Sequence, residues 1–339
     1  MKLDINLRVL FSALFLILLT STIYPTNSNA EKPSSVITQS DPCEGNGTEI
    51  IVRPGSDGSC ELQPDVQKIT FLRIDLCTEE PTAPTTSAAL DRTNCQTFFK
   101  NDDGAEASVA KGVNTPIGEA SDYLKVAQGT YTHGSITMSN VFKYTSSVTF
   151  DGVMTDVSGA NGSTTCVTRP GSIDIVYGYS DNINAAQSNV SCTPNAVASE
   201  ISIGVNTMTT SGNPPNLRCN HLLNFNGTNG IVAGYALEAD DTLVDGVGAL
   251  GLTDQIKNGA NGCNSRNSNE ISKVMGVMAF ATPLVIGANT AGIRVEFNNT
   301  QGLMLDNGGN ANLISKWDVA FFDFTLTALP LPRNKGDFR

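Results

Sequence analysis

Beyond its first thirty residues the chain reads as short runs of β-branched and aromatic residues broken by glycine, asparagine, aspartate and proline, a pattern that predicts many short strands. Candidate strands are 49–53, 67–76, 130–141, 147–150, 173–177, 231–236, 272–280, 293–298 and 318–326. The punctuation between them is rich in Asn-Gly and Asp-Gly, as at Asn46, Asp57, Asp103, Asp151, Asn161, Asn226 and Asn258. These dipeptides accept the positive φ of tight hairpin turns. Helical periodicity is confined to 252–257 and 311–315, too little to supply the crossover helices of a parallel α/β fold. The expected fold class is all-β: an antiparallel β-sandwich, either two sandwich domains or one elongated sandwich.

The strand at 67–76 poses a question of faces. Ile69 and Phe71 share one parity, whereas Leu72, Ile74 and Leu76 share the other, so either both faces are buried or a bulge switches them. Burial on both faces, near the centre of a sandwich, is the favoured reading. At 318–326, Phe322 and Phe324 alternate with Asp323 as one inward face. If that apolar segment lies at a sheet edge, it is the natural contact surface for a partner.

The first thirty residues differ from the rest. Lys2 and Arg8 precede an apolar run from Val9 to Leu19, Pro25 breaks any helix, and Ser28-Asn29-Ala30 offers the small residues that a signal peptidase accepts. The apolar run is shorter than the roughly 20 residues that span a bilayer. The expectation is a signal peptide at 1–30, cleaved after Ala30, and no transmembrane segment thereafter. Residues 31–42 are polar and proline-punctuated and read as a flexible leader. A β-sandwich domain is expected over 43–155, a second β-rich domain over 165–330 and a tail at 331–339. The Gly-, Ser- and Thr-rich stretch 156–164 is the candidate boundary.

Charge and cysteines narrow the partners. The net charge is −12, which repels phosphate backbones, and no Lys/Arg stripe is present to bind nucleic acid. All eight cysteines, Cys43, Cys60, Cys77, Cys95, Cys166, Cys192, Cys219 and Cys263, follow the export segment. An even count suits disulfides, and loop entropy favours pairing neighbours: Cys43 with Cys60, Cys77 with Cys95, Cys166 with Cys192, Cys219 with Cys263. Zinc is the poorer use, since no Cys-x-x-Cys occurs. Localisation is expected in the periplasm, at the cell surface or outside the cell.

The run Lys68-Ile69-Thr70-Phe71-Leu72-Arg73-Ile74-Asp75-Leu76-Cys77, followed by Asn94-Cys95 and Ala127-Gln128-Gly129-Thr130-Tyr131-Thr132, resembles a group of uncharacterised exported proteins of marine bacteria. It is similar, more loosely, to transthyretin-like sandwich modules. The resemblance covers about residues 66–150 and implies a β-sandwich with a Cys77–Cys95 pairing, and nothing catalytic.

Candidate chemistry is thin. Gly246-Val247-Gly248-Ala249-Leu250-Gly251 matches the dinucleotide fingerprint in letters, but it lacks the buried strand before it and the long helix after it. Asp240, Asp241 and Asp245 suggest calcium, yet in the loop register that suits Gly246 the third and twelfth positions are Leu243 and Leu252, which cannot ligate. A looser surface calcium site from these three carboxylates or from Asp102 and Asp103, or a carbohydrate site using Trp317, Tyr177 and Tyr179, is the binding-module reading. For nucleophilic catalysis the base has to be His133 or His221. His133, before Gly134, suits an edge or turn, and His221 sits two residues from Cys219. No carboxylate stands out at a strand end, so a secreted hydrolase using paired carboxylates is the remaining enzymatic alternative. The leading expectation is a non-enzymatic exported β protein without catalytic residues or cofactor, structural, adhesive or ligand-binding, with surface proteins or glycans as partners.

Overall fold

The structure, a computed structural model, describes residues 43, 59–85, 87–110, 113–159, 162–171, 188–204, 208–210, 218–220, 222–227, 230–243, 271–300, 302–306, 312–319 and 322–331. The signal peptide expected at 1–30, the leader expected at 31–42, the strands expected at 49–53 and 173–177, the glycine run 246–251, the helical turn expected at 252–257, and Asp245, His221, Tyr177, Tyr179 and Cys263 lie outside these residues.

In chain order the strands are β1 (Ser59–Leu62), β2 (Val66–Cys77), β3 (Cys95–Val109), β4 (Gly129–Ser139), β5 (Val141–Thr145), β6 (Ser147–Asp156), β7 (Ser163–Thr168), β8 (Val190–Ser191), β9 (Ile201–Gly204) and β10 (Met208–Thr210). They continue with β11 (Arg218–Asn220), β12 (Leu222–Gly227), β13 (Gly230–Leu237), β14 (Lys273–Ile286), β15 (Thr290–Asn298), β16 (Leu303–Asp306), β17 (Leu313–Ile314), β18 (Lys316–Val319) and β19 (Asp323–Pro330). One 3-10 turn, Ala120–Asp122, is the only helical element among the described residues. The protein is therefore all-β, and among the described residues every strand pairing is antiparallel except the short β17–β6 contact. The helical turn expected at 311–315 is instead β17: Ile314 is fully buried, and the backbone around it bonds to β6, Thr155 N–H donating to Asn312 O at 2.9 Å.

An eight-stranded sheet in the order β12-β13-β14-β4-β2-β5-β9, with β3 on the remaining edge of β2, organises the rest. β9, β13 and β14 come from beyond 156–164 and join β2, β4 and β5 from before it, so this sheet runs across the expected boundary. β2 is bonded by β3 along one edge and by β5 and then β4 along the other. Asn140 makes the β4-to-β5 corner, its amide donating to Ile271 O at 2.8 Å.

The face question in β2 has a double answer. Both of its registers slip between Phe71 and Arg73, so Leu72 is a bulge that returns Ile74 and Leu76 to the face of Ile69 and Phe71. On β3 the residues 101–104 stand opposite Leu72, with Gly104 at φ +86°, a conformation that favours glycine. Past the bulge, Ile74, Asp75, Leu76 and Cys77 are all fully buried, so the other face is covered as well.

The first face carries the main core. The β15/β19 ribbon lies over it: Phe297 meets Phe71 at 5.3 Å between ring centroids, and Phe322 meets Phe142 at 5.5 Å. Phe324 and Leu326 are buried there, with Val319 and Phe322 packed against the same core, so these side chains of the 318–326 segment face inward rather than toward a partner. The segment is also split, ending β18 and opening β19. Trp317, a candidate sugar contact in the binding-module reading, is 1% exposed in the same core, because its strand lies against β16 and its backbone is held by Asn189 on both sides. Three of the expected disulfides are formed, Cys43–Cys60, Cys77–Cys95 and Cys166–Cys192, and they staple β1, the β2/β3 pair and the β7 region.

Phe71 is one of the fully buried side chains on which the two layers meet, so Phe71→Ala should cost about 3–5 kcal/mol of stability. Urea denaturation of the purified protein measures it, with an unchanged m value if only packing is lost.

Candidate functional site on the second face of the central sheet

The second face of the sheet holds the described residues that resemble chemistry. It bears a small apolar cluster, Leu90, Tyr235, Leu237, Met275 and Val277, set apart from the main core. Beside that cluster the side chains are polar. Register places Arg73, Asp75 and Cys77 of β2 opposite Thr137, Ser135 and His133 of β4, and these opposite Met275, Val277 and Ala279 of β14. The segment 78–94 covers part of this face, contributing Leu90 and Arg92.

Asp75 is the centre. It is fully buried, and a buried carboxylate is tolerated only when charge and hydrogen bonds compensate it. Arg73 Nε donates to its two oxygens at 2.8 and 2.9 Å, Arg92 Nε donates at 3.0 Å, and Ser135 Oγ donates at 3.2 Å. Arg73 also donates to Thr97 Oγ1 at 2.7 Å. Arg92 continues the network to Asp241 at 3.9 Å, and Asp241 is paired with Lys273 at 2.7 Å.

His133 was expected at an edge or turn and lies instead inside β4, between β2 and β14. A strand register, which no local residue pattern encodes, puts it there. Thr132 Oγ1 donates its one hydrogen to Thr78 O at 2.8 Å and lies 2.9 Å from His133 Nδ1. The hydroxyl therefore accepts from the imidazole, which places the ring proton on Nδ1 and leaves Nε2 unprotonated. Burial lowers the His133 pKa from its ordinary 6.5, only partly opposed by the negative charge of Glu80. Tyr235, close enough to feel Glu80, is pushed up to about 12, mainly by burial.

One residue of each triad type thus shares a face, but bonded in the wrong order. Ser135 gives its proton to Asp75 rather than His133, and His133 gives its own to Thr132. A serine nucleophile needs the reverse, with histidine accepting from serine and carboxylate accepting from histidine. The arrangement serves to hold β2, β4 and the 78–94 segment together.

The calcium candidates fall in a turn beside this network. Asp240 accepts from the Thr242 N–H at 3.0 Å and its hydroxyl at 2.6 Å, and these bonds lower its pKa. Asp241, at φ +70°, faces Lys273 and Arg92. The Asp241 carboxylate is thus already neutralised by cations, and Asp245 lies outside the described residues. Among the described residues no group of three or more His, Cys, Asp or Glu side chains is placed to hold a metal ion.

Sequence reasoning passed over Asp75, Arg73, Arg92, Ser135 and Lys273. The available signal was a lone acid inside an apolar strand, Ile74-Asp75-Leu76-Cys77, with an arginine two residues earlier on the same face. Compared with protein-family models, with curated proteins and with solved structures, the chain finds no match in any of the three. No helix among the described residues is long and apolar enough to cross a membrane.

Two measurements probe this face. Arg92→Met removes one of the two guanidiniums from a buried carboxylate and should cost about 3 kcal/mol in urea denaturation. Adding Asp75→Asn should recover part of that loss in a double-mutant cycle. The second concerns pH. Because folding lowers the His133 pKa, the unfolded chain binds more protons, so this contribution to stability is complete above 6.5 and is lost as pH falls below it. Midpoints measured from pH 8 to about pH 5 should decline through that window, and His133→Gln should flatten this part of the decline.

Proposed function

We propose that this chain is an exported, disulfide-stapled β protein that serves a structural, adhesive or ligand-binding role at the cell surface or in the periplasm, and is not an enzyme. The observation that carries the reading is the way the second face spends its reactive groups. Asp75, Ser135, Thr132 and His133, the residues from which acyl-transfer chemistry is usually built, are bonded to one another and to the cover segment in an order that supports strands rather than a nucleophile. Three disulfides support the export half of the reading, since such bonds persist in oxidising compartments. The sequence adds the basic-apolar-small pattern of residues 1–30 and the acidic balance. Its partners in this reading are other surface proteins or glycans.

Fractionation of cells expressing the full chain, followed by non-reducing peptide mass mapping, tests this. The expected result is a polypeptide beginning at Glu31, recovered outside the cytoplasm, with Cys43–Cys60, Cys77–Cys95 and Cys166–Cys192 intact. Full-length chain in the cytosol with reduced cysteines would overturn it. Calorimetry with calcium and a glycan panel on the same material separates a binding module, which releases heat, from a purely structural one.

A further inference from the structure

The segment 78–94 is a cover with few attachments. Its own backbone closes on itself, through bridges between Thr82 and Asp91 and between Thr85 and Ala88, and through Thr78 N–H to Asn94 O at 3.0 Å. Of its described residues only Pro81, Pro84 and Leu90 are buried. To the rest of the molecule it is tied by Leu243 N–H donating to Thr85 O at 2.9 Å, by Thr132 Oγ1 donating to Thr78 O at 2.8 Å, and by the Arg92 side chain. The remaining tie is covalent: Cys77 and Cys95 stand directly opposite each other in the β2–β3 register and close the base of the cover.

The cysteines of the three disulfides among the described residues are not equally exposed. Cys166 and Cys192 are both fully buried, whereas Cys95 is partly exposed and its partner Cys77 is fully buried. Cys43 is also partly exposed, and its bond ties residue 43 to β1 rather than to the 78–94 cover.

We propose that Cys77–Cys95 is a thiol-exchange site for an external dithiol, and that its opening releases the 78–94 cover from the second face. In the first step a thiolate of the dithiol attacks Sγ of Cys95, the more exposed residue of the pair, forming a mixed disulfide as the Cys77–Cys95 bond breaks. Cys77 leaves as thiolate and takes up a proton. The second thiol of the reagent then attacks its own partner sulfur, displacing Cys95 as thiolate, which is protonated in turn. The protein disulfide has gained two electrons and two protons, and the dithiol has become a disulfide. Among the described residues the cover is then held, beyond its two ends in the β2–β3 ladder, by two hydrogen bonds, Arg92 and the buried Pro81, Pro84 and Leu90, and Tyr235, Met275 and Ser135 beneath it come within reach of solvent. The inference is independent of what that face binds.

The experiment exposes the folded, oxidised protein to graded dithiothreitol, traps free thiols by alkylation, and follows amide hydrogen exchange on the same samples. The expected result is that Cys77–Cys95 is alkylated before Cys166–Cys192, and that amides of 78–94 then exchange at least about tenfold faster while those of β2 and β4 keep their protection. The variant with Cys77→Ala and Cys95→Ala should show the fast exchange without reductant. Opening of Cys166–Cys192 first or together with it, or unchanged exchange in 78–94 once Cys77–Cys95 has opened, overturns the proposal. If the double variant does not fold, the titration of the natural chain decides alone.

Discussion

A strand bonded along both edges has no freedom to shift its register alone, and β2 is such a strand, with β3 on one side and β5 and β4 on the other. From Ile74 onward it is also covered on both faces. A one-residue slip in such a position would exchange Ile74 and Leu76 for Asp75 and Cys77 in the main core, at the cost of an unpaired buried carboxylate. The bulge at Leu72 reconciles this with the apolar residues before it, because without the extra residue Ile69 and Phe71 would face opposite to Ile74 and Leu76. The eight-stranded sheet, the β15/β19 layer over Phe71 and the cover over Asp75 all take their positions from this one strand.

Burying Asp75 then dictates what surrounds it. A carboxylate without solvent needs cations and donors on several sides, and one strand supplies only Arg73 and, from the neighbouring strand, Ser135. The second guanidinium has to come from above the sheet, which fixes Arg92 and with it the path of 78–94. The same arginine reaches Asp241 and so couples the cover to the turn that joins β13 to the segment before β14. A charge network is not an efficient source of stability compared with apolar packing, but it is directional. It can hold a mostly polar cover in one orientation where three buried apolar residues could not.

The class of fold was legible in the sequence because it depends on local patterns. The runs at 67–76, 231–236 and 293–298 fall within observed strands, the run at 272–280 does so from Lys273 on, and neighbour pairing anticipated the three disulfides formed among the described residues. β3 escaped notice because its interior, Asn101-Asp102-Asp103-Gly104, is the excursion opposite Leu72 and reads as a loop. β17 is not legible in the sequence because two residues carry no periodicity, and its strand character comes from its pairing with β6. The second face was less legible still. That Asp75 meets Ser135 and that His133 lies beside Cys77 are facts of register between strands some sixty residues apart in sequence, which no local motif records. The acids that do attract the eye, Asp240 and Asp241, form a turn whose charges are taken up by Thr242, Lys273 and Arg92.

The two faces of the sheet therefore hold their coverings by different physics. On the first face, β15 and β19 contribute Phe297, Phe324 and Leu326 to a continuous apolar core, and separating them from the sheet would expose all of that surface at once. On the second face the cover buries little apolar area and depends on a few directional bonds and one disulfide at its base. Local opening follows the weaker attachment, since segments with few buried contacts exchange with open forms far below the free energy of global unfolding. A molecule built in this way can uncover one face while the other remains closed. That asymmetry places the changeable surface of this protein over Asp75 and Tyr235 and leaves the β15/β19 side as its fixed support.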